Sequence, residues 1–272
     1  MYIFYIIILI VILVVVIWGS VTNWKFINKN NEYFSGKRDY LLFSSIGDRG
    51  CTKKAVAMWL ENSNRNYDVV FYYYKKPSEN YDIEYSKYKK GFKFENFADY
   101  ASENDISGYK AVWVVDDDIQ ISTKDINKMF EIFTEYKLDL GSPSFSKDSD
   151  TYWIDTLGNK KNNILHYTNF VEVNTPIFSQ KGLNTCLSTF NNSKTAWGLD
   201  YIWSKLLNFE NIGVIDEVEI YNSPEELSAL DETTETGLIR EDHAVFGIEL
   251  MKKLGVKKFK PKILSYVKKN LL

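Results

Sequence analysis

The sequence is short of the residues that carry most metal and nucleophile chemistry. It holds two cysteines, two histidines and five prolines among 272 residues. No C-x-x-C, H-E-x-x-H, G-x-S-x-G or G-x-G-x-x-G spacing occurs. Zinc ribbons, zincins, hydrolase nucleophile elbows and dinucleotide fingerprints therefore have no support. Cys51 and Cys186 can form one disulfide or stand as two buried thiols, and the second is the expected state. His166 and His243 are expected to be structural or solvated. An excess of one charge is also missing: 33 Lys and Arg face 36 Asp and Glu, a formal net charge of -3. That balance offers no electrostatic case for nucleic acid.

What is present begins with an apolar run from Tyr2 to Trp18, uninterrupted by charge. At about 1.5 Å per residue it reaches roughly 25 Å, close to a hydrocarbon core. No basic n-region precedes it, so an uncleaved membrane anchor over residues 1–22 is expected rather than a signal peptide. Trp18 and Trp24 would lie at its interface. Residues 23–38 are polar and Asn-rich and read as a stem. Lys25, Lys29, Lys37 and Arg38 follow the run, and the positive-inside rule taken alone keeps the domain over 39–272 in the cytosol.

Along that domain, short apolar runs alternate with helical patterns. Strands are expected at 39–45, 67–74, 109–115, 138–140, 152–153, 164–167, 170–173 and 212–215. Helices are expected at 52–62, 92–103, 181–190, 199–208 and 241–253, and one capped by Ser122 with Asp125 three residues on. In that helix Ile126, Met129, Phe130, Phe133 and Tyr136 recur at helical spacing. Alternating strands and helices imply a mainly parallel α/β sheet covered on both faces, with its site beyond the carboxyl ends of the strands.

Two such ends carry acids. Asp116-Asp117-Asp118 follows the apolar strand Val112-Trp-Val-Val115. Three adjacent carboxylates repel one another unless a cation intervenes. A hard divalent ion has the right chemistry, with positions left for a diphosphate. Asp48, after Gly47, can accept hydrogen bonds from a base or ribose, and Gly47 admits close backbone approach. Trp197-Gly198-Leu199-Asp200 opens a helix. Trp197 offers a flat face for a sugar ring, and Asp200 is either a general base or a plain helix cap. Asn191-Asn192-Ser193 is a sequon, meaningful only for a lumenal domain.

Several segments together resemble the domain-of-unknown-function 707 family, whose plant members are labelled lysine ketoglutarate reductase trans-splicing related. They are Phe43-Ser-Ser-Ile-Gly-Asp48, Tyr67-Asp-Val-Val-Phe-Tyr-Tyr-Tyr74, Gly91-Phe-Lys-Phe-Glu-Asn96, Val112-Trp-Val-Val-Asp-Asp-Asp-Ile119, Phe170-Val-Glu-Val-Asn-Thr-Pro-Ile-Phe-Ser179, Trp197-Gly-Leu-Asp200 and Val214-Ile-Asp216. The family is similar to glycosyltransferases of the GT-A fold. The resemblance implies a Rossmann-type mixed sheet, a nucleotide-sugar donor, UDP-type above others, and Mn2+ or Mg2+. It implies donor contacts at Gly47, Asp48, Asp116 and Asp117, and metal contacts at Asp116 and Asp118. Acceptor contacts fall at Glu172, Trp197 and Gly198, with Asp200 as base toward a glycan or other hydroxyl acceptor. It also favours a lumenal domain of Golgi or ER type. One position departs: family members place a His shortly after Val-Ile-Asp, and Asn222 stands there. An Asn carbonyl holds Mn2+ less strongly than His. A catalytically impaired sugar-binding or nucleotide-sugar-binding protein is therefore the alternative. An oxidoreductase, as the plant label suggests, lacks its dinucleotide fingerprint.

Overall fold

The computed structural model describes residues 38–151, 153, 162–192, 196–222 and 240–269. The expected anchor, and the stem as far as residue 37, lie outside them. Among the described residues no helix is long and apolar enough to cross a membrane.

The chain forms β1 (Tyr40–Ile46), α1 (Gly50–Trp59), β2 (Tyr67–Tyr73), β3 (Tyr85–Tyr88), α2 (Lys93–Glu103), β4 (Ala111–Val115), β5 (Ile119–Gln120) and α3 (Thr123–Glu135). There follow β6 (Leu140–Phe145), β7 (Asn163–Thr168), β8 (Ile177–Ser179), α4 (Gln180–Cys186), a 3-10 turn (Leu187–Asn192), α5 (Leu199–Leu206), β9 (Ile212–Asn222), α6 (Arg240–Lys253) and β10 (Ile263–Lys268). The sheet order is β10-β7-β9-β6-β8-β4-β1-β2-β3, with β5 paired to β9.

Every residue of β1, β2, β4 and β6 is buried, as expected for strands covered on both faces. Alternation sorts their side chains. Leu42, Phe71 and Trp113 join Trp59 of α1 and Met129 and Phe130 of α3 in one core cluster. Phe43 and Tyr72 turn the other way, where Phe43 meets Phe97 of α2 at 5.1 Å between ring centroids. Phe178 of β8, Phe190 of the 3-10 turn and Trp203 of α5 extend that aromatic layer from Phe97.

The sheet is mixed, as the resemblance implies, rather than mainly parallel, as the alternation of strands and helices implies. β3, β2, β1 and β4 run parallel. β8 then enters antiparallel to β4 and β6, and β7 and β10 are antiparallel additions at the far edge. Residues 170–173, expected as a strand, instead form a loop. The carbonyls of Val173 and Asn174 accept from Lys93 Nζ, and Asn174 O also accepts from Asp116 N–H. Asn174 O, like Pro176 O toward the Val114 N–H, continues the register of β8 on β4, and residues 170–173 precede that pairing as loop.

β6 and β9 shift register between Pro143 and Ser144, which pair with Ile215 and Glu219. A proline has no ladder donor, and a bulge is where a sheet tolerates one. Beyond the bulge β9 continues to Asn222, the ladder partner of Ile119. The last residue of β9 therefore lies beside the acidic triplet.

Candidate active site

The carboxyl ends of β1, β2 and β4 meet at one edge, because the three strands are parallel and in register. Gly47, Tyr74 and the triplet Asp116–Asp118 follow them directly.

The three acids have different surroundings. Asp117 is buried and turned inward. Its Oδ2 accepts from the Gly47 N–H at 2.9 Å, the Thr52 hydroxyl at 2.7 Å and the Tyr74 hydroxyl at 2.9 Å. Its Oδ1 accepts from Arg49 at 2.6 Å. Burial pushes the Tyr74 hydroxyl well above its ordinary range, so it stays a donor. Burial alone would lower the Arg49 guanidinium, but the Asp117 charge raises it above its ordinary value.

Asp116 pairs with Lys93 at 2.7 Å, with its side chain 39% exposed and that of Lys93 11% exposed. Enclosure by protein atoms pushes the Asp116 carboxyl up, and Lys93 holds it back. Asp118 meets Arg49 more loosely, at 3.5 Å. Burial, and then the charges of Asp116 and Asp117, push Asp118 up to about 7.

A second pair of acids is formed by Glu172, on the loop that Lys93 holds, and Asp200, at the start of α5. Glu172 is buried and accepts from the Thr151 hydroxyl at 2.8 Å and the Asn174 amide at 3.4 Å. Asp200 stands in the first turn of α5 and accepts from the Tyr201 N–H at 2.9 Å. Burial and then the nearby Glu172 charge raise Asp200 to about 7, against that hydrogen bond. The rings of Trp153, Phe170 and Tyr201, the latter two close to these acids in sequence, pack on one another.

The other expected residues are placed as follows. Gly47 is buried against Tyr74, whose hydroxyl occupies the space a Cβ would need, so the close approach it permits is internal. Asp117 is likewise engaged by the protein's own donors. Asp48 is exposed; its contacts run to Ser78 at 2.5 Å and Lys53 at 3.2 Å, and Ser78 and Lys53 lower its carboxyl. Gly198 has φ 87°, in the left-handed region, and starts α5. Trp197 is 41% exposed, and its backbone lies against Gly247. Asn222 donates from Nδ2 to the Asp150 carbonyl at 3.0 Å and from N–H to Ser149 at 3.1 Å.

Lys93, Arg49, Thr52 and Tyr74 escaped the sequence reading. A signal existed for the first two. Arg49 is the N-cap of α1, and Lys93 is the first residue of α2. A cation at a helix N-terminus opposes the macrodipole and needs compensation by acids.

His166 is the structural residue expected: buried in β7, with Nδ1 2.9 Å from Asp216. The side chain of His243 lies outside the described ones. Cys51 and Cys186 are both buried as thiols, and burial raises Cys186 to about 12.

The implied Mn2+ or Mg2+ does not fit these side chains as they stand. Asp117 is saturated, Asp116 carries an ammonium and Asp118 faces a guanidinium. Among the described residues no group of three or more His, Cys, Asp or Glu side chains is arranged to hold an ion.

No family model matches the chain, and no curated protein matches it. Its fold is similar to that of GalNAc-T7 in the crystal structure with UDP, GalNAc and Mn2+. The TM-score is 0.54 at 6% identity, covering 78% of this chain and 48% of that one. The chain also aligns with S. aureus TarS, at TM-score 0.48 and 11% identity, over 79% of this chain and 43% of that one. For TarS 1-349 in complex with UDP-GlcNAc the values are 0.46 and 12%, over 81% and 68%. The chain thus spans less than half the length of GalNAc-T7 and of full TarS. At such identity the likeness to GalNAc-T7 speaks for the fold alone: a mixed α/β sheet resembling that of GT-A glycosyltransferases.

Proposed function

We propose that this chain is a glycosyltransferase-like enzyme of the domain-of-unknown-function 707 family. It moves a sugar from a nucleotide-sugar donor, UDP-type, to a hydroxyl acceptor. The observation that carries this reading is the joining of two acidic centres by one side chain. Lys93 bonds Asp116 and also the loop that presents Glu172 beside Asp200. The fold puts the first centre where open α/β sheets bind ligands. In this reading the membrane run anchors the domain on the lumenal side.

The chemistry is one direct displacement with inversion. The acceptor oxygen bonds to the anomeric carbon as its proton passes to the Asp200 carboxylate. The bond from that carbon to the diphosphate oxygen breaks, and its electron pair leaves with the diphosphate. A base is most effective with a pKa near working pH, and Asp200 lies at about 7. In this reading the acceptor hydroxyl approaches Asp200, and the half-exposed Trp197 offers a face to the acceptor.

Release of nucleotide diphosphate from a donor tests this. The rate should rise with pH through about 7, as Asp200 loses its proton. Asp200→Asn should lower kcat by about 10²–10⁴-fold with donor affinity unchanged. A variant that keeps its kcat would remove Asp200 as base.

A non-catalytic sugar-binding or nucleotide-sugar-binding protein is the second reading. The protein-borne partners of all three triplet carboxylates favour it. Donor binding without turnover would establish it.

A further inference from the structure

The acids after β4 need positive charge nearby, and the chain supplies it from its own side chains. Lys93 Nζ lies 2.7 Å from Asp116 Oδ1, 2.7 Å from the Val173 carbonyl oxygen and 3.0 Å from the Asn174 carbonyl oxygen. An ammonium has three N–H donors and no acceptor, so this cage uses all of them. A carboxylate with backbone carbonyls is also the donor set that a hard cation takes. The cation here is covalently attached to the fold.

Its placement is built rather than incidental. The side chain is only 11% exposed, and Nζ stands 4.8 Å from the Phe94 ring centroid. Arg49 provides a second cation, at 2.6 Å from Asp117 and 3.5 Å from Asp118. Two cations thus face three carboxylates. A diphosphate approaching bare carboxylates would be repelled; here it meets a cluster with at most one uncompensated negative charge.

We infer that Lys93 takes the place of a divalent ion in this site, so that a nucleotide diphosphate binds without metal. The inference rests on the nucleotide-sugar reading above. Lys93 acts by position. It compensates Asp116 and fixes the Val173–Asn174 backbone, and so sets where Glu172 stands relative to the triplet. Charge compensation and the spacing of the two acidic centres depend on the same ammonium.

The test is equilibrium binding of UDP, GDP, CDP and ADP to the full chain, with a metal chelator and then with Mn2+. The preferred nucleotide should bind in chelator with a Kd within about threefold of that in Mn2+. Lys93→Ala should weaken binding in chelator by roughly 100-fold. Mn2+ should then recover much of the loss, because the oxygen cage is open to an ion. A lysine that merely supported the fold would not turn metal-independent binding into metal-dependent binding. If Lys93→Ala fails to fold, the wild-type comparison decides alone. Wild-type binding only with Mn2+ overturns this inference and leaves the donor reading standing. Lys93→Ala binding as tightly as wild type in chelator overturns it too. No nucleotide bound under either condition removes the donor reading and this inference together.

Discussion

Three adjacent aspartates have three fates, and substitutions should separate them. Asp117 is a buried anchor between Gly47, Thr52, Tyr74 and Arg49. Asp117→Ala strands a guanidinium and two hydroxyls, and should cost about 3–5 kcal/mol in chemical denaturation. Asp118 behaves oppositely. Its folded-state pKa is raised to about 7 from an ordinary 3.8, so its charged form is disfavoured by folding. Its contribution is most unfavourable above about pH 7 and disappears below about pH 4. Asp118→Asn should therefore raise stability at pH 8 and leave it unchanged at pH 3.5, as urea midpoints at the two values would report. Strand alternation made it legible that the three acids cannot all face one way. Which one the protein consumes internally was not legible. That depends on Thr52 and Tyr74, which come from other elements, and neither residue type announces such a partner.

At the scale of elements, the buried strands and the amphipathic helices were legible because their periodicity is strong. The α3 cap is the clearest case. Ser122 accepts from the Asp125 N–H at 3.1 Å, and its hydroxyl donates to the Asp125 carboxylate at 2.7 Å. Ser122→Ala should cost about 1 kcal/mol in urea denaturation, and nucleotide binding should not change. The missed elements share a physical reason. β5 has two residues and β8 three, too few to show a period. β3 and β10 are edge strands with lysines among apolar residues, so neither stands out as an apolar run. The loop at 170–173 failed in the other direction. Its Phe-Val-Glu-Val pattern is strand-like, yet pairing with β4 begins only at the Asn174 carbonyl.

For the whole molecule, the sequence pattern led to a sheet covered on both faces with acids at its carboxyl edge, and that arrangement is present. The resemblance implied a mixed sheet, but the alternation of strands and helices did not place the antiparallel insertions. β8 separates β4 from β6, and the bulge opposite Pro143 lets β9 run on to the triplet. Long-range pairing of this kind leaves no local mark in the chain. It is nevertheless what gathers Asn222, Lys93 and the loop before β8 around one edge. The central claim is that this edge receives a nucleotide diphosphate. The most direct test is thermal denaturation of the full chain with UDP, and with uridine as a control lacking the phosphates. At a hundred times its Kd a ligand adds about 2.7 kcal/mol of stability. A clear rise in Tm is expected with UDP and little with uridine, because in the proposed reading the phosphates meet the triplet and its cations. A folded chain whose Tm moves equally with both, or with neither, would contradict it.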